Sequence, residues 1–444
     1  MIHYPMMQGS TRDIFRRRRK SFAKAMKGGV AVLPGSREEE SALPFRQNSD
    51  FYYLTGFDEP GAIAVIHPLS RDGALTLFVQ PKDPDQERWT GPRMGPMRAK
   101  KEYGAMEAYP IGLWEERMLG LLKEGQSLYY GLGNDDETDG QILDIFQRMS
   151  RSKALGKKGL NVLIDPGEIL SLLRWKKGGE EIDLLRKACG ISSDGHRAVM
   201  NQTLPGMSEQ QVAAILAERF YAANASRPAF PFIVASGANA TILHYEKNTS
   251  TLRDGDLLLV DAGAEYQHYA GDVTRTFPVS STFTPIQREL YEIVLLAQEQ
   301  AIQAALPGEP LFVIHEVACR LITQGLKKMG LLRGRTDRIL RDKEYLQFYP
   351  HNTSHWVGLD VHDRGPGTTQ QSSPPLQTGL VLTVEPGIYI GKNLSKVPKE
   401  FRGIGIRIED VVLVTRKGPQ LLTQVPKATH EIETIRSKAL SSRQ

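Results

Sequence analysis

Four carboxylates and one histidine constrain this chain more than any other feature. Each lies in or beside an apolar, glycine-punctuated run that reads as a buried strand or strand end. Asp261 closes LLLVDAG, Asp272 lies in YAGDVTRTF, His355 in HNTSHWVGLDVHD, Glu385 in VLTVEPG and Glu409 in GIGIRIED. Burying one ionised carboxylate without a partner is costly, and burying four together is tolerable only with countercharge. Two divalent cations would balance four carboxylates. A two-metal hydrolase is the expectation that follows.

The chain has 444 residues, more than a single typical core, so length predicts two or three domains. With 40% hydrophobic and 24% charged residues, the composition is that of a soluble globular protein. The net charge of +5 is spread along the chain without aromatic-basic interleaving, which argues against nucleic acid. One dense run, Arg16-Arg17-Arg18-Arg19-Lys20, reads either as a targeting or polyanion patch or as the solvated face of a helix. The helix is expected over residues 11–26, with Ile14, Phe15, Phe22 and Met26 as its buried stripe. No secretory apolar segment and no apolar span of about 18 residues occurs, so a cytoplasmic, non-membrane protein is expected. The first twelve residues lack acids, which leaves a short transit peptide open. Cys189 and Cys319 fit no metal or redox spacing and are expected as buried, reduced thiols. The metal ligands are then oxygen and imidazole, which suit manganese, zinc, cobalt or iron.

Short apolar runs at 30–33, 62–66, 75–79, 127–130 and 160–164 alternate with helical patterns at 11–26, 114–123 and 140–149. This predicts an α/β domain with a mixed sheet of about five or six strands. After Arg174-Trp175-Lys176-Lys177-Gly178-Gly179, a long amphipathic pattern begins at Glu180 with acids in its first turn. The expected domains are therefore 1–175 and 176–444. Further helices at 209–222, 285–305 and 311–329, mixed with hairpin signals, make the second domain α+β. Residues 364–375, rich in Gly, Pro, Ser, Thr and Gln, are expected as a surface loop.

The strand 257–260 delivers Asp261, and Glu265–Tyr269 reverses the chain toward Asp272. A hairpin centred between Tyr266 and Gln267 would make the two aspartates cross-strand partners, about 4.5–5.5 Å apart at Cβ. Like charges so placed need a bridging cation; the alternative is two independent strand-end aspartates. Along 403–410, Ile404, Ile406 and Ile408 point one way and Gly405, Arg407 and Glu409 the other. Arg407 and Glu409 form either a structural ion pair or a guanidinium that supports a ligating carboxylate or a substrate. His351, His355 and His362 fall within twelve residues, where imidazole serves as a ligand, a proton carrier or an oxyanion donor. Motifs of single-zinc proteases, serine hydrolases and nucleotide-binding loops are absent.

These residues resemble aminopeptidase P, the Xaa-Pro aminopeptidase branch of the "pita-bread" metallopeptidases. The resemblance rests on PFRQNSDFYYLTGFDEPGA and ERWTGPR in the first half. In the second half it rests on SGANATILHY, DLLLVDAG, YAGDVTRTFPV, HNTSHWVGLDVHD, VLTVEPGIYI and GIGIRIEDVVLV. It implies an aminopeptidase P-type α/β domain, with a mixed sheet, followed by an α+β pita-bread (creatinase/aminopeptidase-like) catalytic domain. It implies that Asp261 holds one metal, that Asp272 and Glu409 bridge two, and that His355 and Glu385 complete the ligands of the other. The implied ions are manganese, or another divalent ion, about 3.5 Å apart and joined by a hydroxide nucleophile. Glu385 is the implied proton carrier and His362 the oxyanion donor. The resemblance also assigns His351 and Arg407 to the catalytic site. His244, His351, His362, Tyr389 and Arg407 border the substrate, with proline in its second position. Trp89 matches an aromatic that meets substrate, with a core tryptophan as the alternative. A homo-oligomer, dimer or tetramer, is implied as well.

Three departures stand out. Asn352 replaces a small residue, Gly178-Gly179 replaces a Ser/Thr-Pro helix start and is expected to weaken the cap, and loop 364–375 is unlike the bacterial enzymes. Xaa-Pro dipeptidase shares the implied metal set and is the nearest alternative. A metal-free relative acting as a binding module, or a creatinase-like metal-free hydrolase, is disfavoured because all five ligands are present.

Overall fold

The structure, a computed structural model, describes residues 9–38, 44–67, 74–122, 127–133, 135–151, 160, 162–367 and 373–442. Parts of the expected strand at 160–164, of the expected helix end at 123 and of loop 364–375 lie outside them. Two compact units divide at Arg174 and Trp175.

In the first unit, β1 (Val30–Pro34), β2 (Ile63–His67), β3 (Ala74–Val79), β4 (Glu107–Pro110), β5 (Leu128–Tyr129) and β6 (Leu163–Ile164) form one sheet. Its order is β4-β3-β2-β1-β5-β6. The β1–β2 and β2–β3 pairs are antiparallel and the rest parallel, so the sheet is mixed. Val30 and Val32 pack with Trp114, Met118, Ile142 and Ile145 from helices Trp114–Leu121 and Asp136–Arg151. Ala31 and Leu33 are buried too, so β1 is covered on both faces and reads as an unbroken apolar run.

The basic run lies on helix Gly9–Ala25, and the solvated-face expectation holds for only part of it. Arg16, Arg17 and Lys20 are exposed, whereas Arg18 and Arg19 are buried. Arg18 and Arg19 donate to the carbonyls of Tyr53 and Leu54, which end helix Ser49–Thr55. Guanidinium groups thus satisfy carbonyls that the helix end leaves open.

The second unit builds helices Gly179–Gln202, Glu209–Ala222, Pro285–Gln303, Phe312–Lys328 and Thr429–Ser441 around antiparallel strands. These are β7 (Arg227–Pro228), β8 (Ile233–Ser236), β9 (Leu257–Asp261), β10 (Ala264–Tyr266), β11 (Tyr269–Ala270), β12 (Thr274–Pro278), β13 (Val381–Val384), β14 (Gly387–Ile390), β15 (Ile404–Arg407), β16 (Asp410–Thr415) and β17 (Gly418–Leu421). They pair as β11-β10-β7, β12-β9-β8, β13-β16-β17 and β14-β15. One apolar core joins helices and strands, giving an α+β unit. The helix at Gly179 keeps half of its cap: the Glu181 carboxylate accepts from the Gly178 N–H at 2.9 Å. Cys189 and Cys319 are free and buried. Among the described residues no helix is long and apolar enough to cross a membrane.

The hairpin expected around Tyr266 and Gln267 is centred one residue later. Tyr266 pairs with Tyr269, and Gln267 and His268 both have positive φ, 47° and 69°, as a two-residue type I′ turn requires. Asp261 therefore faces Thr274, not Asp272. The two aspartates still share a face, because the shift is two residues and side chains alternate with period two.

Candidate metal centre

Asp261, Asp272, His355, Glu385 and Glu409 all line one cavity of about 590 Å³ in the second unit, together with His244, His351, His362 and Arg407. Backbone bonds between elements bring them there. Glu409 N–H donates to the Thr274 carbonyl, Glu385 N–H to Thr353 and Thr383 N–H to His355. The ends of β9, β13 and β15, the start of β12 and the histidine segment thus converge on one floor.

Asp272, His355 and Glu409 offer ligand atoms within 4.8 Å of one another. His355 Nε2 lies 3.5 Å from Asp272 Oδ2 and 3.4 Å from Glu385 Oε1. Its other nitrogen, Nδ1, donates to the Trp356 carbonyl at 3.2 Å, which leaves a lone pair on Nε2 facing two carboxylate oxygens. Burial, and then the neighbouring His362, push the imidazole down to about 4, so it is neutral at neutral pH. Acceptors face acceptors here.

The carboxylates report the same strain. Burial, followed by the charges of Asp261 and Glu385, holds Asp272 well above the usual carboxylate range. Burial, followed by Asp272, Glu385 and Asp261, does the same to Glu409. Burial raises Glu385 to about 8, with Arg407 opposing and Asp261 adding. Asp261 Oδ1 is buried without a hydrogen-bond partner. Countercharge at this floor would relieve all four.

Arg407 does not pair with Glu409, although strand alternation puts the two on one face. Its Nη2 donates to Asp261 Oδ2 at 2.6 Å, its Nε to Thr274 Oγ1 at 3.1 Å and its Nη1 to the Tyr389 hydroxyl at 3.0 Å. Thr274 in turn donates to Glu409 Oε2 at 2.7 Å. The guanidinium reaches Glu409 only through that hydroxyl, a link the sequence does not reveal. Tyr389 donates onward to His351 Nε2 at 2.8 Å, and His351 Nδ1 donates to the Asn352 carbonyl at 2.8 Å. Burial and then Arg407 lower His351 to about 3. It is a fixed, neutral wall group.

His362 is exposed on the cavity wall, its ring edge-on to His355 at 4.4 Å between centroids. Burial and then His244 lower its pKa. Its neighbour Asp363 pairs with Lys177 at 2.6 Å, both side chains buried. His244 also lies exposed on the wall. Trp89 sits on helix Pro84–Thr90 of the first unit, 87% exposed, which rules out the core alternative.

Residues 183–416 match the model of Metallopeptidase family M24, and residues 15–129 match Aminopeptidase P, N-terminal domain. The chain belongs to metallopeptidase family M24. Within the family it is 38% identical to the Xaa-Pro aminopeptidase of Haemophilus influenzae, over 94% of this chain and 96% of that protein. It is 37% identical to that of Escherichia coli, over 97% and 98%. The structure of Pseudomonas aeruginosa aminopeptidase PepP matches with a TM-score of 0.92 at 39% identity, covering 97% of this chain and 99% of that one. Zinc-substituted E. coli aminopeptidase P in complex with product matches with a TM-score of 0.91 at 36% identity, covering 96% and 98%.

Proposed function

We propose that this chain is a dinuclear metal-dependent Xaa-Pro aminopeptidase, which cleaves the bond between an N-terminal residue and a following proline. The observation that carries this reading is the cavity floor, where four carboxylates and an imidazole lone pair converge. Membership of family M24 and the likeness to aminopeptidases P over nearly the whole chain support it.

The donors fit divalent metal. Asp261 has an unpartnered oxygen, His355 presents Nε2, and Asp272 and Glu409 lie within reach of it. Asp261 would hold one ion, Asp272 and Glu409 both, and His355 and Glu385 the other. When bound, the ions would neutralise the floor, acidify a water and polarise the scissile carbonyl. Manganese is the expected ion, with zinc, cobalt and iron as substitutes.

Glu385 takes the proton released by the attacking water and delivers it to the proline nitrogen. Its carboxylate lies on the cavity floor, Oε1 3.4 Å from His355 Nε2, where a carboxylate within reach of the attacking water both accepts and releases a proton. His362, neutral and exposed on the wall, donates an N–H to the developing oxyanion. His351, locked against Tyr389, and His244 border the proline ring. Proline has no N–H, so this wall leaves no substrate donor unpaired. Trp89 meets substrate peptide through its exposed ring. Residues 1–175 form the aminopeptidase P-type domain and 176–444 the catalytic domain, and the protein works as a cytoplasmic homo-oligomer, dimer or tetramer.

A peptide panel with and without manganese, read by mass spectrometry, tests this. Manganese-dependent release of the first residue from Xaa-Pro-Yaa, and not from Xaa-Ala-Yaa, is expected. Cleavage of Xaa-Pro alone would make the chain a dipeptidase instead.

A further inference from the structure

We propose that Glu209 is a positioning residue for the cavity wall that receives the second substrate residue; this rests on the Xaa-Pro reading above. Glu209 is the first residue of helix Glu209–Ala222 and is 0% exposed. No cation among the described residues pairs with it. Five neutral donors hold it instead. Its Oε1 accepts from Ser236 N–H at 2.7 Å, Ser236 Oγ at 2.8 Å and Asn239 Nδ2 at 3.0 Å. Its Oε2 accepts from Tyr245 Oη at 2.9 Å and Ser250 N–H at 2.8 Å.

These donors are not scattered. They span the single stretch from the end of β8 to Ser250, which beyond the short 3-10 turn Gly237–Thr241 has no regular structure of its own. Such a segment lacks the ladder bonds that would fix its height above the sheet. One carboxylate supplies five of the bonds that replace them, beside the two that Asn248 makes with the Val234 N–H and the Phe232 carbonyl. Leu243, His244 and Glu246, from the middle of that stretch, line the cavity. Tyr245, between two of them, turns inward to Glu209 and packs in a small core with Leu259 and Tyr389. The same hydroxyl that Glu209 holds therefore sets where His244 stands relative to Tyr389. Because β8 pairs with β9 at Ile233 and Asp261, the metal ligand itself is fixed independently by the sheet. Glu209 acts on the wall and not on the floor.

The experiment compares the manganese-loaded wild type with Glu209→Gln and Tyr245→Phe. Glu209→Gln keeps the volume but turns an amide toward donors. Amide hydrogen exchange across residues 237–250 should accelerate at least about tenfold while residues 257–261 stay protected. KM for Xaa-Pro-Yaa should rise about tenfold with kcat changed less than about twofold, and discrimination against Xaa-Ala-Yaa should shrink. Tyr245→Phe, losing one donor, should show the same pattern at about threefold. Unchanged exchange in 237–250, or a fall in kcat with KM unaltered, would overturn the assignment. If Glu209→Gln does not fold, the same readouts in Tyr245→Phe decide it. A wild type that cleaves no Xaa-Pro peptide would sink the functional reading, and the exchange measurement would still judge Glu209.

Discussion

His355 and His362 lie seven positions apart and meet edge to face, yet their environments differ. His355 is directed by its Nδ1 bond so that Nε2 faces carboxylates; His362 faces the open cavity. Replacing His355 with Ala should therefore strip metal from the chain, measured by elemental analysis. His362→Ala should keep close to full metal occupancy and lose about 10²-fold or more in kcat. Equal metal loss in both variants would show that the two roles are misassigned. At this scale the five floor residues are legible in the sequence, because an acid inside an apolar strand pattern is too costly to bury without a counterion. Arg407's partner is not. Alternation tells which face it occupies, but its bond to Asp261 depends on β15 lying beside β12, a non-local fact. Thr274 is invisible for a related reason: a threonine in a strand looks like any β-former until its neighbours are known.

Among the elements, the hairpin joining β10 and β11 shows how a register is misread. Gln267-His268 carries none of the Asn-Gly chemistry that marks a type I′ turn, so the sequence centres the reversal one residue early. The chain tolerates two non-glycine residues at positive φ because the ladder on either side, Ala262 with Val273 and Gly271 with Ala264, over-determines the turn. Gln267 is exposed, so Gln267→Asn should relieve local strain and stabilise the unit by about 0.5 kcal/mol, read as a higher urea midpoint with unaltered cleavage. A lower midpoint would mean that the glutamine side chain contributes something the backbone does not reveal. Buried Arg18 and Arg19 teach a parallel lesson. A run of basic residues predicts a wet face, but the open carbonyls of helix Ser49–Thr55 come into view only where the two helices meet.

For the whole molecule, buried titrating groups set the acid limit of the fold. His196 in helix Gly179–Gln202 is buried and bonded by Nε2 to the Ala262 carbonyl at 3.1 Å. Burial lowers it from 6.5 to about 3. Between those values the unfolded chain holds a proton that the folded chain refuses, so stability rises with pH there and falls as acid is added. Asp410 acts lower. Burial would raise it, but Arg275 and Lys427 outweigh burial and bring it from 3.8 to about 2. Its stabilising contribution is present above 3.8 and disappears as pH falls through about 2. Denaturation midpoints should therefore drop as pH falls from about 6.5 to about 4, and His196→Asn should flatten that slope. An unchanged slope in the variant would place the acid sensitivity elsewhere.

Among the described residues, the cavity floor gathers four buried or half-buried carboxylates with one guanidinium, that of Arg407, bonded to one of them. The direct measurement is a titration of metal-stripped protein with manganese, following both bound ion and release of the first residue from Xaa-Pro-Yaa. Two ions bound per chain, with cleavage rising to its full rate only as they fill, is the predicted result. Full cleavage without added metal, or saturation of cleavage with no ion bound at Asp272, His355 and Glu409, would contradict it.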